Sequence, residues 1–156
     1  MTAAESGPPQ RRPRRKPGEN RELLIEAGIH EFGRVGYHGA STSAIARIAG
    51  VPQPHVYASF HTKQDLFLAC CERAITRLTP GSQPLEGFVP GDPTAKDLEA
   101  CSRMIFQGVA ALNLPELRAG LLPVFRGFEE EDGQERVSSA IHLGAWSLLR
   151  GADNRY

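Results

Sequence analysis

The stretch AGVPQPHVYASFHTK, from Ala49 to Lys63, decides how this chain folds. Two prolines, Pro52 and Pro54, stand just ahead of residues with a helical pattern. A proline in the first turn of a helix removes no helical hydrogen bond, because the first four N–H groups of a helix have no partner inside it. We therefore predict that the prolines begin a short helix, which starts near Pro52 and ends at about Ser59.

A second short helix comes just before this stretch. Ser41 is a residue type that accepts hydrogen bonds from the free N–H groups of a first helical turn. Gly50 ends the predicted helix, because glycine enters the left-handed region at little cost. The helix from Ser41 to Ala49, the tight turn at Gly50, and the proline-led helix together predict a helix-turn-helix.

Apolar residues at three- and four-residue steps predict helices in the rest of the chain. They span about 19–35, closed by Gly36, then 62–79, 94–112, 115–130 and 134–149. The side chains expected to point inward from the last of these helices are Val137, Ile141, Leu143, Trp146 and Leu149. No strand pattern or internal repeat is present, so the predicted fold class is all-α.

Charge and composition divide the chain into three segments. Residues 1–18 contain five cations and nothing apolar to pack, so we predict a disordered basic arm there, before segments at 19–79 and 80–156. The 18 basic and 18 acidic residues balance overall. Residues 1–78 carry 11 Lys+Arg and 7 Asp+Glu, and residues 79–156 carry the reverse. Only the front part is expected to meet a polyanion.

Several classes of function find no support in the sequence. Because no apolar run or signal region is present, we expect a soluble cytoplasmic protein without a membrane span. The three cysteines form no CxxC pair, and no histidine spacing suggests a metal site or a cofactor. No nucleophile–base pair or phosphate-binding loop is found, so the enzyme interpretation is poor and no catalytic residue is predicted.

The segment from Arg21 to Ala74 resembles the DNA-binding domain of TetR-family transcriptional repressors. The resemblance lies in Ala27, Phe32, GYHGAST (36–42), IARIAGV (45–51), VYASF (56–60) and TKQDLF (62–67). It implies a three-helix DNA-binding domain joined by a long fourth helix to a small helical ligand and dimerisation domain. It also implies a homodimer whose third helices enter successive major grooves of a palindromic operator in double-stranded DNA. A small apolar or amphipathic effector would release such a repressor.

The third helix supplies three candidates for base contacts. Gln53 can pair with adenine through two hydrogen bonds, and the ring of Pro54 can touch a thymine methyl group. His55 can contact a base edge or a phosphate. Gln53 and His55 are alternatively plain exposed helix residues.

Other candidates match phosphate-contacting positions of the family, namely Thr42, Tyr57, Ser59 and Lys63. Tyr57 is alternatively a core residue, and Lys63 alternatively a solvated lysine. The arm residues predicted to enter a minor groove or follow phosphates are Arg11, Arg12, Arg14 and Arg15. A tail that only adds solubility is the competing interpretation of the arm.

The C-terminal segment offers apolar side chains for an effector pocket, namely Met104, Phe106, Leu121, Phe125 and Trp146. A plain helical core uses the same residues. Family members usually carry further helices after this point, so a helical interaction module, or a truncated regulator without operator binding, is the alternative function.

Overall fold

The computed structural model describes residues 15–16, 18–79 and 95–153, and within these ranges it contains helices and turns but no strand. The all-α prediction is confirmed. Within the described residues there are seven α-helices, and a 3-10 turn, Ala111–Asn113, separates the fifth from the sixth. The helices are α1 (Glu19–Gly39), α2 (Thr42–Ala49), α3 (Pro54–Ser59), α4 (Lys63–Leu78), α5 (Lys96–Ala110), α6 (Pro115–Asp132) and α7 (Gln134–Asp153).

The end of α1 differs from the prediction by a short extension. Gly36, predicted to end the helix, has a positive φ of 75° with an extended ψ of 178°. Helical residues resume after this break and run to Gly39. The backbone N–H of Ala40 then donates to the carbonyl oxygen of Gly36 at 3.2 Å and closes the turn into α2.

The helix-turn-helix forms as predicted, with one shift in its bounds. The Ser41 hydroxyl accepts from the backbone N–H of Ala44 at 3.1 Å, and Gly50 lies in the left-handed region at φ 62° and ψ 33°. Helix α3 begins at Pro54, two residues later than predicted. The N–H of His55 donates to the carbonyl of Pro52 at 2.9 Å, so Pro52 belongs to the turn that leads into the helix.

A reciprocal cap fixes the start of α4. The Thr62 hydroxyl accepts from the N–H of Asp65, and the Asp65 carboxylate accepts from the N–H of Thr62, both at 3.0 Å. These two bonds satisfy N–H groups that the helix itself leaves without partners. The cap therefore fixes the first residue of α4, Lys63, directly after the loop that follows α3.

Helix α5 joins the two halves of the described fold. It packs against α1, α4 and α7. Buried side chains on both sides of position 80, such as Leu24, Phe67 and Leu121, belong to one hydrophobic cluster. The division into segments at 19–79 and 80–156 stays a prediction.

The prediction that Trp146 and Leu149 point inward is wrong, because their side chains are 52% and 63% exposed. The buried positions of α7 are instead Ala140, Gly144 and Ser147. A β-carbon at Gly144 would collide with the carbonyl of Ser102 on α5. These small residues let the backbones of α5 and α7 approach closely. Trp146 and Leu149 therefore turn outward, whereas Val137 and Ile141 pack against the core as predicted.

Candidate nucleic-acid interface

The beginning of α3 presents three adjacent side chains to solvent. Gln53, Pro54 and His55 are all exposed. Val56 and Phe60 are 1% and 3% exposed and fix the helix to the core. The three predicted base-contacting residues are thus all exposed at the start of α3, and we call them the reading surface.

Tyr57 and Thr42 flank the reading surface on two different helices. The Tyr57 side chain is 53% exposed, so the alternative of a core tyrosine does not describe it. Its hydroxyl lies 3.3 Å from the hydroxyl of Thr42, the first residue of α2. The pair places two hydroxyl groups together beside the reading surface.

Ser59 is half-buried at the end of α3, and its carbonyl oxygen accepts from Nη1 of Arg21 at 2.9 Å. The guanidinium of Arg21 also lies 4.2 Å from the centroid of the Phe60 ring. Sequence reasoning missed Arg21. Its partners, Ser59 and Phe60, lie 38 and 39 positions further along the chain, and a local sequence pattern does not predict contacts over such a separation.

Lys63 is a half-buried cation rather than a freely solvated one. Its ammonium nitrogen lies 4.6 Å from the centroid of the Tyr37 ring. Burial lowers the pKa of Lys63 and raises the pKa of Tyr37. The aromatic face restrains the ammonium group at the start of α4, near a helix N-terminus that favours anions.

The root of the N-terminal arm contacts the helix-turn-helix. Arg15 donates from Nη2 to the carbonyl of Gly50 at 2.9 Å and from Nη1 to Oδ1 of Asn20 at 3.1 Å. Nδ2 of Asn20 lies 3.0 Å from Nδ1 of His55. Asn20 was not among the predicted site residues, because its partner His55 is 35 positions away. The other predicted arm contacts, Arg11, Arg12 and Arg14, lie outside the described residues.

The five predicted effector-binding residues occupy different environments. Met104 and Leu121 are fully buried, Phe125 is 7% exposed, Phe106 is half-buried and Trp146 is largely exposed. None of them lines the cleft of about 510 Å³ that opens between α1, α2, α5 and α7. The residues that line this cleft are His30, Glu31, Arg34, Ile48, Arg103, Ser147, Leu148 and Gly151.

An ion pair and a hydrogen-bonded arginine border this cleft. The carboxylate of Glu31, a residue only 7% exposed, accepts from Nη2 of Arg34 at 2.9 Å. Arg103 donates to the hydroxyl of Ser147 at 2.7 Å, and its Nε has no hydrogen-bond partner among the described residues. The exposed side chain of Ile48 adds an apolar surface from α2.

The thiols of Cys70, Cys71 and Cys101 are free and buried, and burial raises the pKa of each. Across residues 15–16, 18–79 and 95–153, no group of three or more His, Cys, Asp or Glu side chains is arranged to hold a metal ion. None of the helices described is both long and apolar enough to cross a membrane.

These features define a helix-turn-helix, an arrangement found in one class of DNA-binding proteins. A short second helix leads through a glycine turn into a third helix whose N-terminal side chains are exposed, the arrangement by which such proteins approach the major groove. Residues 24–70 match the family described as bacterial regulatory proteins, tetR family. Residues 24–70 of this chain are therefore similar to the N-terminal domain of TetR-family regulators.

Two curated proteins are similar to this segment. One is the HTH-type transcriptional activator FasR of Mycolicibacterium smegmatis, 39% identical over 63 residues, or 40% of this chain and 29% of FasR. The other is the uncharacterized HTH-type transcriptional regulator YdgC of Bacillus subtilis, 39% identical over 49 residues, or 31% of this chain and 25% of YdgC. The chain thus spans less than a third of either relative.

Among solved structures, the fatty acid degradation regulator FadR from Bacillus halodurans aligns with 92% of this chain and 89% of its own length. The TM-score is 0.47 and the sequence identity is 21%.

Proposed function

We propose that this chain is a ligand-released repressor that binds a palindromic operator as a homodimer. The observation that carries the proposal is the exposed reading surface at the start of α3. Side chains at the N-terminal end of such a helix reach base edges when the helix enters the major groove. The buried anchors of α3 support this role, because they hold the reading surface in a fixed orientation.

We assign separate roles to the residues at this interface. Gln53 would pair with adenine, Pro54 would touch a thymine methyl group, and His55 would hydrogen-bond a base edge. The residues proposed to position the helix by contacting phosphates are Thr42, Tyr57, Ser59 and Lys63. Arg11, Arg12 and Arg14 of the arm would add contacts to phosphates or to an adjacent minor groove.

The proposed dimer rests on the outer face of α7. Trp146 and Leu149 are exposed one turn apart, and the ring of His142 lies 6.4 Å from the Trp146 ring, centroid to centroid. Exposed large apolar side chains that lie close together favour a protein interface. A two-fold axis through such an interface would match the symmetry of a palindromic operator.

The proposed effector is a small apolar or amphipathic molecule. The cleft between α1, α2, α5 and α7 supports this proposal, because its volume of about 510 Å³ falls in the range of small-molecule sites. A molecule bound there would touch Ile48 on α2 and Leu148 on α7 together. Its differential affinity for two arrangements of these helices would shift the population away from the DNA-binding one. The alternative effector site is the pocket predicted from the sequence, with a wall formed by Met104, Phe106, Leu121, Phe125 and Trp146.

In-vitro selection from random duplex DNA tests the proposal, with the purified chain at near-physiological salt. We expect enrichment of a palindrome with two symmetric half-sites. The variants Gln53→Ala and His55→Ala should each lose preference at defined positions of every half-site. Purely salt-sensitive binding without enrichment would contradict the proposal and favour a helical interaction module.

A further inference from the structure

We propose that Asn20 is a positioning residue for sequence recognition, because it holds His55 in the form that donates a hydrogen bond to DNA. The inference rests on the proposed function, since it concerns how His55 reads a base. It follows from three side chains in series, Arg15, Asn20 and His55.

Arg15 determines which way the amide of Asn20 points. A guanidinium group carries only hydrogen-bond donors, so the amide atom that faces it is the oxygen. Nη1 of Arg15 lies 3.1 Å from Oδ1 of Asn20. Arg15 is itself held by a second bond, from Nη2 to the carbonyl of Gly50. The amide nitrogen of Asn20 must therefore face away from Arg15 and toward α3.

The amide nitrogen in turn determines the tautomer of His55. Nδ2 of Asn20 lies 3.0 Å from Nδ1 of His55. An amide nitrogen donates and does not accept, so Nδ1 of His55 must accept with its lone pair. The proton of the neutral imidazole then resides on Nε2, and the nitrogen that remains for DNA is a donor.

This tautomer restricts what His55 can read. Acceptors in the major groove are N7 and O6 of guanine, N7 of adenine and O4 of thymine, whereas cytosine presents the N4 amino donor. We therefore infer that each half-site places a guanine, adenine or thymine acceptor at His55. The first turn of α1 thus takes part in recognition without touching DNA.

The variant Asn20→Ala tests the inference in the same selection experiment, with Asn113→Ala as the matched control. Asn113 is an exposed asparagine in the 3-10 turn after α5. For Asn20→Ala we expect the preference for the selected base over the other bases to fall about two- to tenfold, at the half-site position that His55→Ala also affects. The double variant Asn20→Ala/His55→Ala should discriminate between bases at that position to within about twofold of His55→Ala alone, since both substitutions remove the same contact. Asn113→Ala should leave the profile unchanged.

A second readout needs no DNA. Long-range proton–nitrogen NMR on the full chain labelled with 15N-histidine reports which ring nitrogen of His55 carries the proton. We expect the proton on Nε2 in the parent chain and a detectable share on Nδ1 in Asn20→Ala. A proton on Nδ1 in the parent chain overturns the inference, as does an Asn20→Ala base profile that stays unchanged.

The two readouts separate this inference from the proposed function. Failure of the parent chain to enrich any sequence contradicts operator binding, and with it the role of Asn20 in recognition. The NMR result would then still show whether Nδ1 of His55 accepts a hydrogen bond from Asn20. An enriched operator together with an Asn20→Ala profile equal to that of the parent chain contradicts the role of Asn20 alone.

Discussion

The hydroxyl of Tyr57 on α3 lies 3.3 Å from the hydroxyl of Thr42 at the first residue of α2. Because a hydroxyl both donates and accepts, one member of the pair can donate to the other while the second donates to a phosphate oxygen. The contact therefore links the two helices of the helix-turn-helix at the edge of the reading surface.

The substitution Tyr57→Phe removes this hydroxyl and keeps the ring. We expect DNA affinity to fall about two- to tenfold on selected and unrelated sequences alike, because a phosphate contact carries little sequence information. Binding titrations on both DNAs at one salt concentration measure this. Thr42→Val should also lower DNA affinity. The double variant Tyr57→Phe/Thr42→Val should lose less binding free energy than the sum of the losses in the two single variants. A loss confined to one base position would contradict the phosphate role of Tyr57.

The arm cations should determine part of the salt dependence. Replacing Arg11, Arg12 and Arg14 together with alanine is expected to flatten the plot of log affinity against log salt concentration. Each lost phosphate contact reduces the slope by about 0.9. Equilibrium titrations over a range of salt concentrations measure the slope, and an unchanged slope would show that the arm does not contact DNA.

Two glycines inside helices should respond to alanine in opposite directions. A β-carbon at Gly144 would lie 2.7 Å from the carbonyl carbon of Ser102, whereas nothing lies within 4 Å of one at Gly127. We expect Gly144→Ala to lower the free energy of unfolding by about 1–3 kcal/mol. Gly127→Ala should raise it by up to about 1 kcal/mol, because alanine favours a helix. Urea unfolding measures both, and equal effects would contradict the close contact of α5 with α7.

The buried thiols predict a loss of stability at alkaline pH. Burial raises the pKa values of Cys70, Cys71 and Cys101 in the folded chain. Above the ordinary cysteine pKa of about 8.5 the unfolded chain releases thiol protons that the folded chain retains, so the free energy of unfolding falls as pH rises. By about pH 9.5 Cys71 alone should lower it by about 1.4 kcal/mol relative to neutral pH.

Urea unfolding at neutral and alkaline pH measures this loss, and Cys71→Ala is the control. That variant should be less stable than the parent chain at neutral pH, because it leaves a cavity in the core. Its free energy of unfolding should nevertheless fall less between neutral and alkaline pH than that of the parent chain. An equal loss in both chains would contradict the burial of Cys71.

The sequence predicted those parts of the fold that local chemistry determines. The cap at Ser41 and the left-handed Gly50 each depend on residues close together in the chain, and both are confirmed. The start of α3 was misplaced by two residues. First-turn prolines fit a helix start at either Pro52 or Pro54, and only the backbone bonds distinguish these positions.

Features that depend on distant residues could not be predicted in this way. An inward Trp146 fitted the apolar stripe of α7, but the close contact between Gly144 and Ser102 leaves Trp146 and Leu149 exposed, while Val137 and Ile141 of the same stripe pack against the core. The bond between Asn20 and His55 likewise joins the first turn of α1 to α3, and neither residue is unusual in its local sequence. These two features depend on tertiary packing, which helical periodicity alone does not predict.

The ratio of affinities for a selected operator and for scrambled DNA of equal length tests the central claim most directly. It is measured at near-physiological salt for the parent chain and for Gln53→Ala. We predict that the parent chain binds the operator at least about a thousandfold more tightly. Gln53→Ala should reduce this ratio by the equivalent of about 1–3 kcal/mol for each half-site, while binding to scrambled DNA stays the same. A ratio near one for the parent chain, or one that Gln53→Ala leaves unaltered, would contradict sequence recognition by the start of α3.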